Sequence, residues 1–282
     1  IITNMKKNIK NELIKYLTNI NYYLKIINNS KLHKKILFPA GLLEWDNEEK
    51  KFYKITITKE NKLENLLCID NQKKTLVNNT LSFLKGNPAN SVLLWGARGT
   101  GKSSLILSVY SYLKKKYSFS MIELKFFQIK YLSKIIKLLE KEKKKIIIFC
   151  DDFSFERSDE SYIYFKNVIE GSIRNNPNIL FYVTSNYRHL IRDDQVNSIN
   201  TILEKENLEN FTSLSDRFGI WLGFHTFKNE EYMKVIIHYA HLYQVKLELK
   251  KLKLKATEWS IARGSKSGRE AKNFIKYIIS VQ

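Results

Sequence analysis

The sequence predicts an α/β P-loop NTPase: a parallel five-stranded sheet covered on both faces, an N-terminal helical segment before it, and a small helical domain after it. Three observations predict this. Between residues 91 and 224, short apolar runs alternate with amphipathic stretches, the pattern of βαβ units. One of those runs opens into Gly96-Ala97-Arg98-Gly99-Thr100-Gly101-Lys102-Ser103, which fits the phosphate-cradling pattern G-x-x-x-x-G-K-[ST]. From residue 229 onward only helical periodicity remains.

The elements follow in order. Ile9, Leu13, Tyr16, Leu17, Ile20, Leu24 and Ile27 recur at helical spacing, so residues 5–37 read as one or two amphipathic helices. Residues 51–57 read as a short strand, and 71–85 as a helix ending at Gly86 with Pro88 beyond it. Strands are expected at 91–95, 118–124, 145–150, 179–184 and 218–224. Helices are expected at 102–115, 128–140 and 159–175, and then at 229–243, 254–263 and 267–280.

Composition narrows the function classes. With 44% apolar residues and only 3 Pro and 10 Gly, the chain can bury a core and has no long flexible linker. Lys and Arg exceed Asp and Glu by 48 − 28 = 20. That charge suits nucleic acid, an anionic membrane surface or an acidic partner. A coding bias toward Lys, Asn, Ile, Tyr and Phe accounts equally for a solvated basic surface, and composition does not choose between the two. Cys68 and Cys150 are far apart, which argues against a disulfide framework or zinc site and fits a reducing, cytoplasmic location. No apolar run approaches the ~20 residues of a spanning helix, and residues 1–10 carry no signal-peptide core. The five histidines show no metal-ligand pattern.

Five motifs carry the chemistry. In the glycine-rich loop, backbone N–H groups turn inward toward phosphate oxygens and the following helix aims its dipole there. Lys102 can then reach the β- and γ-phosphates, and the Ser103 hydroxyl can bind Mg²⁺. Ile146-Ile147-Ile148-Phe149-Cys150 is a buried strand ending in Asp151 and Asp152, where an open α/β sheet places its ligand crevice. Asp151 would hold Mg²⁺, and Asp152 would orient or deprotonate the attacking water. Thr184-Ser185-Asn186 ends the next strand, with a polar side chain in reach of that water. Arg217, in Ser215-Asp216-Arg217-Phe218-Gly219, and Arg269, in Ser267-Gly268-Arg269-Glu270, each offer a guanidinium to a transferring phosphoryl group. A lone arginine is more often a surface residue; it is the P-loop that gives these two weight.

These elements stand in the order Walker A, Walker B, sensor 1, arginine finger, sensor 2. Their local wording, from Asn90 to Ser104, Phe149 to Glu156, Thr184 to Leu190 and Leu214 to Phe224, resembles a bacterial family of AAA+ ATPases classed as a domain of unknown function. That family is similar to the helicase-loader and initiator branch. The resemblance covers roughly 70–282. It implies an α/β nucleotide-binding domain over 70–225, a helical lid over 226–282, and a separate segment over 1–69. It further implies ATP and Mg²⁺ as ligands, held by Gly96, Ala97, Arg98, Gly99, Thr100, Gly101, Lys102, Ser103 and Ser104, with Ser103 and Asp151 on the metal. Asn186 looks like sensor 1, Arg217 like a finger acting on a neighbouring subunit, and Arg269 like sensor 2, moving with the lid. Ile69 and Asp70 sit where relatives pack against adenine. Many AAA+ proteins carry Glu where this chain has Asp152, which bears on the rate of hydrolysis rather than on binding.

Three readings follow: an oligomeric ATPase that remodels or loads a protein or nucleic-acid partner, a slow nucleotide switch that binds nucleic acid, and a P-loop kinase or GTPase. The last lacks the Asn-Lys-x-Asp guanine reader. Phe126-Phe127 is the one candidate pore loop, with core packing as its simpler explanation.

Overall fold

The computed structural model of the 282-residue chain describes Ile20 and residues 38–56, 62–140, 142–156, 161–190 and 214–281. The chain divides after Phe38 into two compact units. Apart from Ile20, the helices expected over 5–37 lie outside the described residues.

Pro39–Gln282 forms the second unit and holds one sheet. Its strands are β1 (Leu42–Asp46), β2 (Lys51–Lys54), β3 (Val92–Gly96), β4 (Ser120–Leu124), β5 (Ile146–Cys150), β6 (Ile179–Ser185) and β7 (Ile220–Phe224), in the spatial order β2-β1-β4-β5-β6-β3-β7. All neighbours run parallel except β1 and β2. The expected five parallel strands are β3 to β7. The sheet nevertheless has seven strands, because β1 covers the edge that β4 would otherwise leave open, and β2 folds back on β1. Leu42, Leu43 and Trp45 are buried there, and Met121 N–H donates to Gly41 O at 3.0 Å. An apolar strand laid on an open edge satisfies that edge's backbone groups.

The helices of the α/β part are α1 (Asp70–Leu84), α2 (Lys102–Leu113), α3 (Leu132–Leu139) and α4 (Ser161–Asn175). The helix expected over 128–140 begins instead with 3₁₀ turns over Phe126–Tyr131. There Gln128 caps backward onto the Lys125 N–H and donates to Trp45 O. On one sheet face α1 and α2 bury Leu76, Leu105 and Val109 against Val92, Leu94 and Phe149. After β5, Phe126, Phe153, Phe155 and Tyr162 meet in edge-to-face ring contacts, and Phe165 packs tilted against Phe153 and Phe155. Phe126 is thus half-buried against core rings, whereas Phe127 is largely exposed. The last three helices, α5 (Asn229–Leu242), α6 (Leu249–Arg263) and α7 (Gly268–Ser280), close on a core of their own around Tyr232, Ile236, Ala256 and Phe274. Among the described residues no helix is long and apolar enough to cross a membrane.

Candidate nucleotide-binding site

β3 lies between β6 and β7, so the chain leaving β3 crosses over to β4 and opens a crevice beyond the strands' carboxyl ends. The glycine-rich loop fills that position. Gly96 ends β3 with φ +124°, and a Cβ built there would stand 2.0 Å from Phe224 O. Only glycine lets the loop start so close to β7, where Ala97 N–H donates to Phe224 O at 2.8 Å. Gly99 and Gly101 are also left-handed, and Gly101 is the N-cap of α2 without a side-chain cap. The first-turn N–H groups of α2 therefore face the crevice with no intrahelical partner, which is the geometry an anion requires.

Lys102 reaches back under this loop. Its Nζ donates to Gly96 O at 2.7 Å, Ala97 O at 2.8 Å and Asn186 Oδ1 at 3.2 Å. Burial pushes its pKa down to about 8, against the opposing pull of Asp152 and Asp151. A buried ammonium without a full counter-charge is disfavoured, and phosphate oxygens would supply that charge.

Asp151 and Asp152 follow the end of β5 and both line the cleft. Asp151 Oδ1 accepts from Ser103 Oγ at 2.5 Å and from Thr184 Oγ1 at 2.6 Å. Hydroxyl and carboxylate oxygens so converged are the hard donors Mg²⁺ takes. Asp152 is left-handed, φ +53°, an uncommon conformation for a residue with a side chain. Its N–H donates to Thr184 Oγ1 at 2.8 Å, and its carboxylate accepts from Asn186 Nδ2 at 2.5 Å. Thr184 thus ties the Asp151 carboxylate and the Asp152 backbone to β6, a role sequence reading did not assign to it. Glu123, on β4, is a further carboxyl near Asp151, and burial first, then Asp151, pushes its pKa up.

The cleft has a volume of about 450 Å³ and is lined by Arg98 to Ser104, Asp151, Asp152, Thr184, Asn186 and Arg269. Its wall also has an apolar part that includes Leu66, Ile69, Val235 and Tyr239, with Leu66 and Ile69 beside Gly101. Leu66, Val235 and Tyr239 look like ordinary core residues in the sequence, so nothing there marks them. Ile69 lies where it was expected. Asp70 does not: its side chain is 82% exposed, pairs with Lys73 at 2.6 Å, and is not part of the cleft wall. Placed in the first turn of α1, it turns toward the lysine one helical turn along. Arg269 enters from the first turn of α7, where its N–H donates to Gly99 O at 3.1 Å. Arg217 stands away from the cleft and pairs with Glu170 of α4, its side chain 42% exposed.

Residues 40–282 match the family described as "Protein of unknown function (DUF815)". The chain belongs to this family. No curated protein matches it. Among solved structures, the DUF815 chain is similar to a RuvB variant from Thermotoga maritima, at TM-score 0.54 and 16% identity over 77% of this chain and 63% of that one. It is similar to the Orc1 protein of Aeropyrum pernix in complex with DNA, at TM-score 0.53 and 16% identity over 75% and 62%. It is also similar to a DNA replication initiation factor, at TM-score 0.52 and 15% identity over 80% and 66%. The chain spans less than two thirds of each of these proteins. The shared architecture is the AAA+ P-loop NTPase fold.

Proposed function

We propose that this DUF815 protein binds ATP with Mg²⁺ and hydrolyses it at the β–γ phosphoanhydride, as a cytoplasmic oligomer that remodels or loads a protein or nucleic-acid partner. The observation that carries the reading is a single cleft in which buried Lys102, under a left-handed glycine loop, faces Asp151, Asp152 and Asn186. Lys102 and the loop N–H groups bind the phosphates. Ser103 and Asp151 would hold Mg²⁺, whose charge offsets that of the phosphates. Asp152, oriented by Asn186, directs a water at the γ-phosphorus. The water's oxygen forms the new P–O bond, the bond to the bridging oxygen breaks, and ADP leaves. The apolar part of the wall formed by Leu66, Ile69, Val235 and Tyr239 suits an adenine ring. Arg269 couples the lid to the phosphates. Arg217, outward-facing on its own subunit, completes a neighbour's site.

A second reading is a slow nucleotide switch that binds nucleic acid. It is favoured by Asp152, whose short side chain is engaged by Asn186.

ATP turnover measured against protein concentration tests both. The proposal expects turnover per chain to rise with concentration, and to fall at least roughly 100-fold in Lys102→Ala and in Arg217→Ala. Tight ATP binding with negligible turnover, unaffected by Arg217→Ala, would instead select the switch.

A further inference from the structure

We propose that a second anion site, at the opposite end of the sheet from the nucleotide cleft, binds the phosphodiester backbone of single-stranded nucleic acid. The proposal takes from the function above only the class of partner.

A cleft of about 560 Å³ opens where β2 ends and β1 and β4 begin. Lys54, Lys114, Lys115 and Lys116 line it, and among the described residues no Asp or Glu does. All four are exposed, and among the described residues none of them forms an ion pair with a carboxylate. The surrounding sequence deepens the imbalance: from Asn71 to Ile122 there is no Asp or Glu at all.

Lysines at a helix C-terminus have an ordinary explanation, because they oppose the helix dipole. That covers Lys114 to Lys116, just beyond the end of α2. It does not cover Lys54, which arrives from β2. Its aliphatic stem lies across Gly41, where an added Cβ would be 3.1 Å from Lys54 Cε. Cations drawn together from separate elements around one concavity repel each other, and a polyanion relieves that repulsion while releasing its counterions. The cleft is also aromatic. Tyr117 is half-buried in its wall, and behind it Lys114 Nζ sits 5.4 Å from the ring centre of Tyr110, which is itself buried. Lysine with tyrosine in a concave site suits unpaired bases more than a duplex, whose bases are not open to stacking.

The test uses the full chain and fluorescence anisotropy of a labelled oligothymidylate of about 20 nucleotides, longer than a usual site of roughly 4–16. Lys54, Lys114, Lys115 and Lys116 are changed together to Gln. A matched control changes Lys250, Lys251, Lys253 and Lys255 on α6, all exposed. The cleft variant is expected to bind at least roughly tenfold more weakly at low salt. Its slope of log affinity on log salt should be shallower by about 3, which is ~0.7 for each lysine. The control is expected to stay within about twofold of wild type, and Lys→Arg at the four cleft positions should preserve binding. Equal losses in the two Gln variants would mean a diffuse basic surface and overturn the site. So would a duplex of the same length binding more tightly than the single strand, or displacement of the oligonucleotide by equimolar inorganic phosphate. ATP binding, followed in parallel, should be unchanged in the cleft variant. Its loss in wild type would count against the nucleotide cleft and leave this site standing.

Discussion

The two ends of the sheet both gather lysine, by opposite means. At the carboxyl end one lysine is buried, held by two carbonyls and an amide, with two carboxylates alongside. The N-termini of α2 and α7 converge there, the second seated on Gly99. At the other end four lysines are exposed, with no carboxylate among the described residues of the cleft wall, beside the C-terminus of α2. The first arrangement fixes charge at a point, which suits a phosphoryl group whose position matters. The second spreads charge over a surface, which suits a polymer whose register does not.

Backbone substitution gives the largest contrast between them. Gly96→Ala forces a Cβ to within 2.0 Å of Phe224 O, an atom fixed in β7, on a residue at φ +124°. The loop must leave β7, and we expect a loss of about 3 kcal/mol or more. At Gly41, φ +147°, the nearest obstacle is the Lys54 side chain at 3.1 Å, which can swing aside. Gly41→Ala should cost about 1 kcal/mol, most of it backbone strain. Denaturant titration of both variants reads the difference. Equal losses would mean that the P-loop's approach to β7 has slack.

Much of the nucleotide end was legible in the sequence, because its chemistry sits in contiguous segments. The P-loop, Asp151-Asp152 after an apolar strand, and Asn186 after another all lie in the cleft they were expected to share. Arg269 reaches it through α7, as a helix start within the expected lid segment. What was not legible depends on pairing between distant segments. Lys51–Lys54 reads as a strand, yet nothing local says that Leu42–Asp46 will dock on β4, so the sheet was expected with five strands and has seven. Leu66, Val235 and Tyr239 come together only through tertiary packing of distant segments, and a hydrophobic residue carries no mark of which cavity it will face. Asp70 shows the reverse error: an acidic residue beside Ile69 looked like part of the cleft, but the helical turn directs it to Lys73. The basic cleft needs β2 beside the end of α2, so composition alone could not separate it from a uniformly charged surface.

Acidity sharpens the contrast at Lys102. Its pKa is lowered to about 8 in the folded chain, against 10.5 for a free lysine. Between those values the unfolded chain keeps a proton that the folded chain has released, so folding stability should rise with pH across that window. Lys102→Met lacks this rise, which paired urea titrations at about pH 8 and about pH 10 would reveal. Binding carries the opposite sign. Phosphate requires the charged lysine, so ATP affinity should fall roughly 50-fold between about pH 8 and about pH 10, while Lys102→Arg stays flat because a guanidinium does not titrate there. A wild-type affinity independent of pH would mean that phosphate binding does not depend on the Lys102 charge.

The smallest effect concerns how the second helix N-terminus is built. Ser267 Oγ accepts the Glu270 N–H at 3.2 Å and caps α7, while the same oxygen would stand 2.8 Å from a Cβ on Gly99. One hydroxyl therefore starts the lid helix and spaces it against the P-loop. Ser267→Ala removes the cap and should cost about 1 kcal/mol of stability. The Gly99 O bond from Arg269 N–H is a backbone contact and survives, so ATP affinity should change by no more than about threefold. Thermal melts combined with hydrogen exchange in the first turn of α7 separate the two roles. Faster exchange confined to that turn, with a modest fall in melting temperature, is the expected result. An unchanged melt with a large loss of ATP affinity would instead assign Ser267 to spacing the P-loop rather than to capping α7.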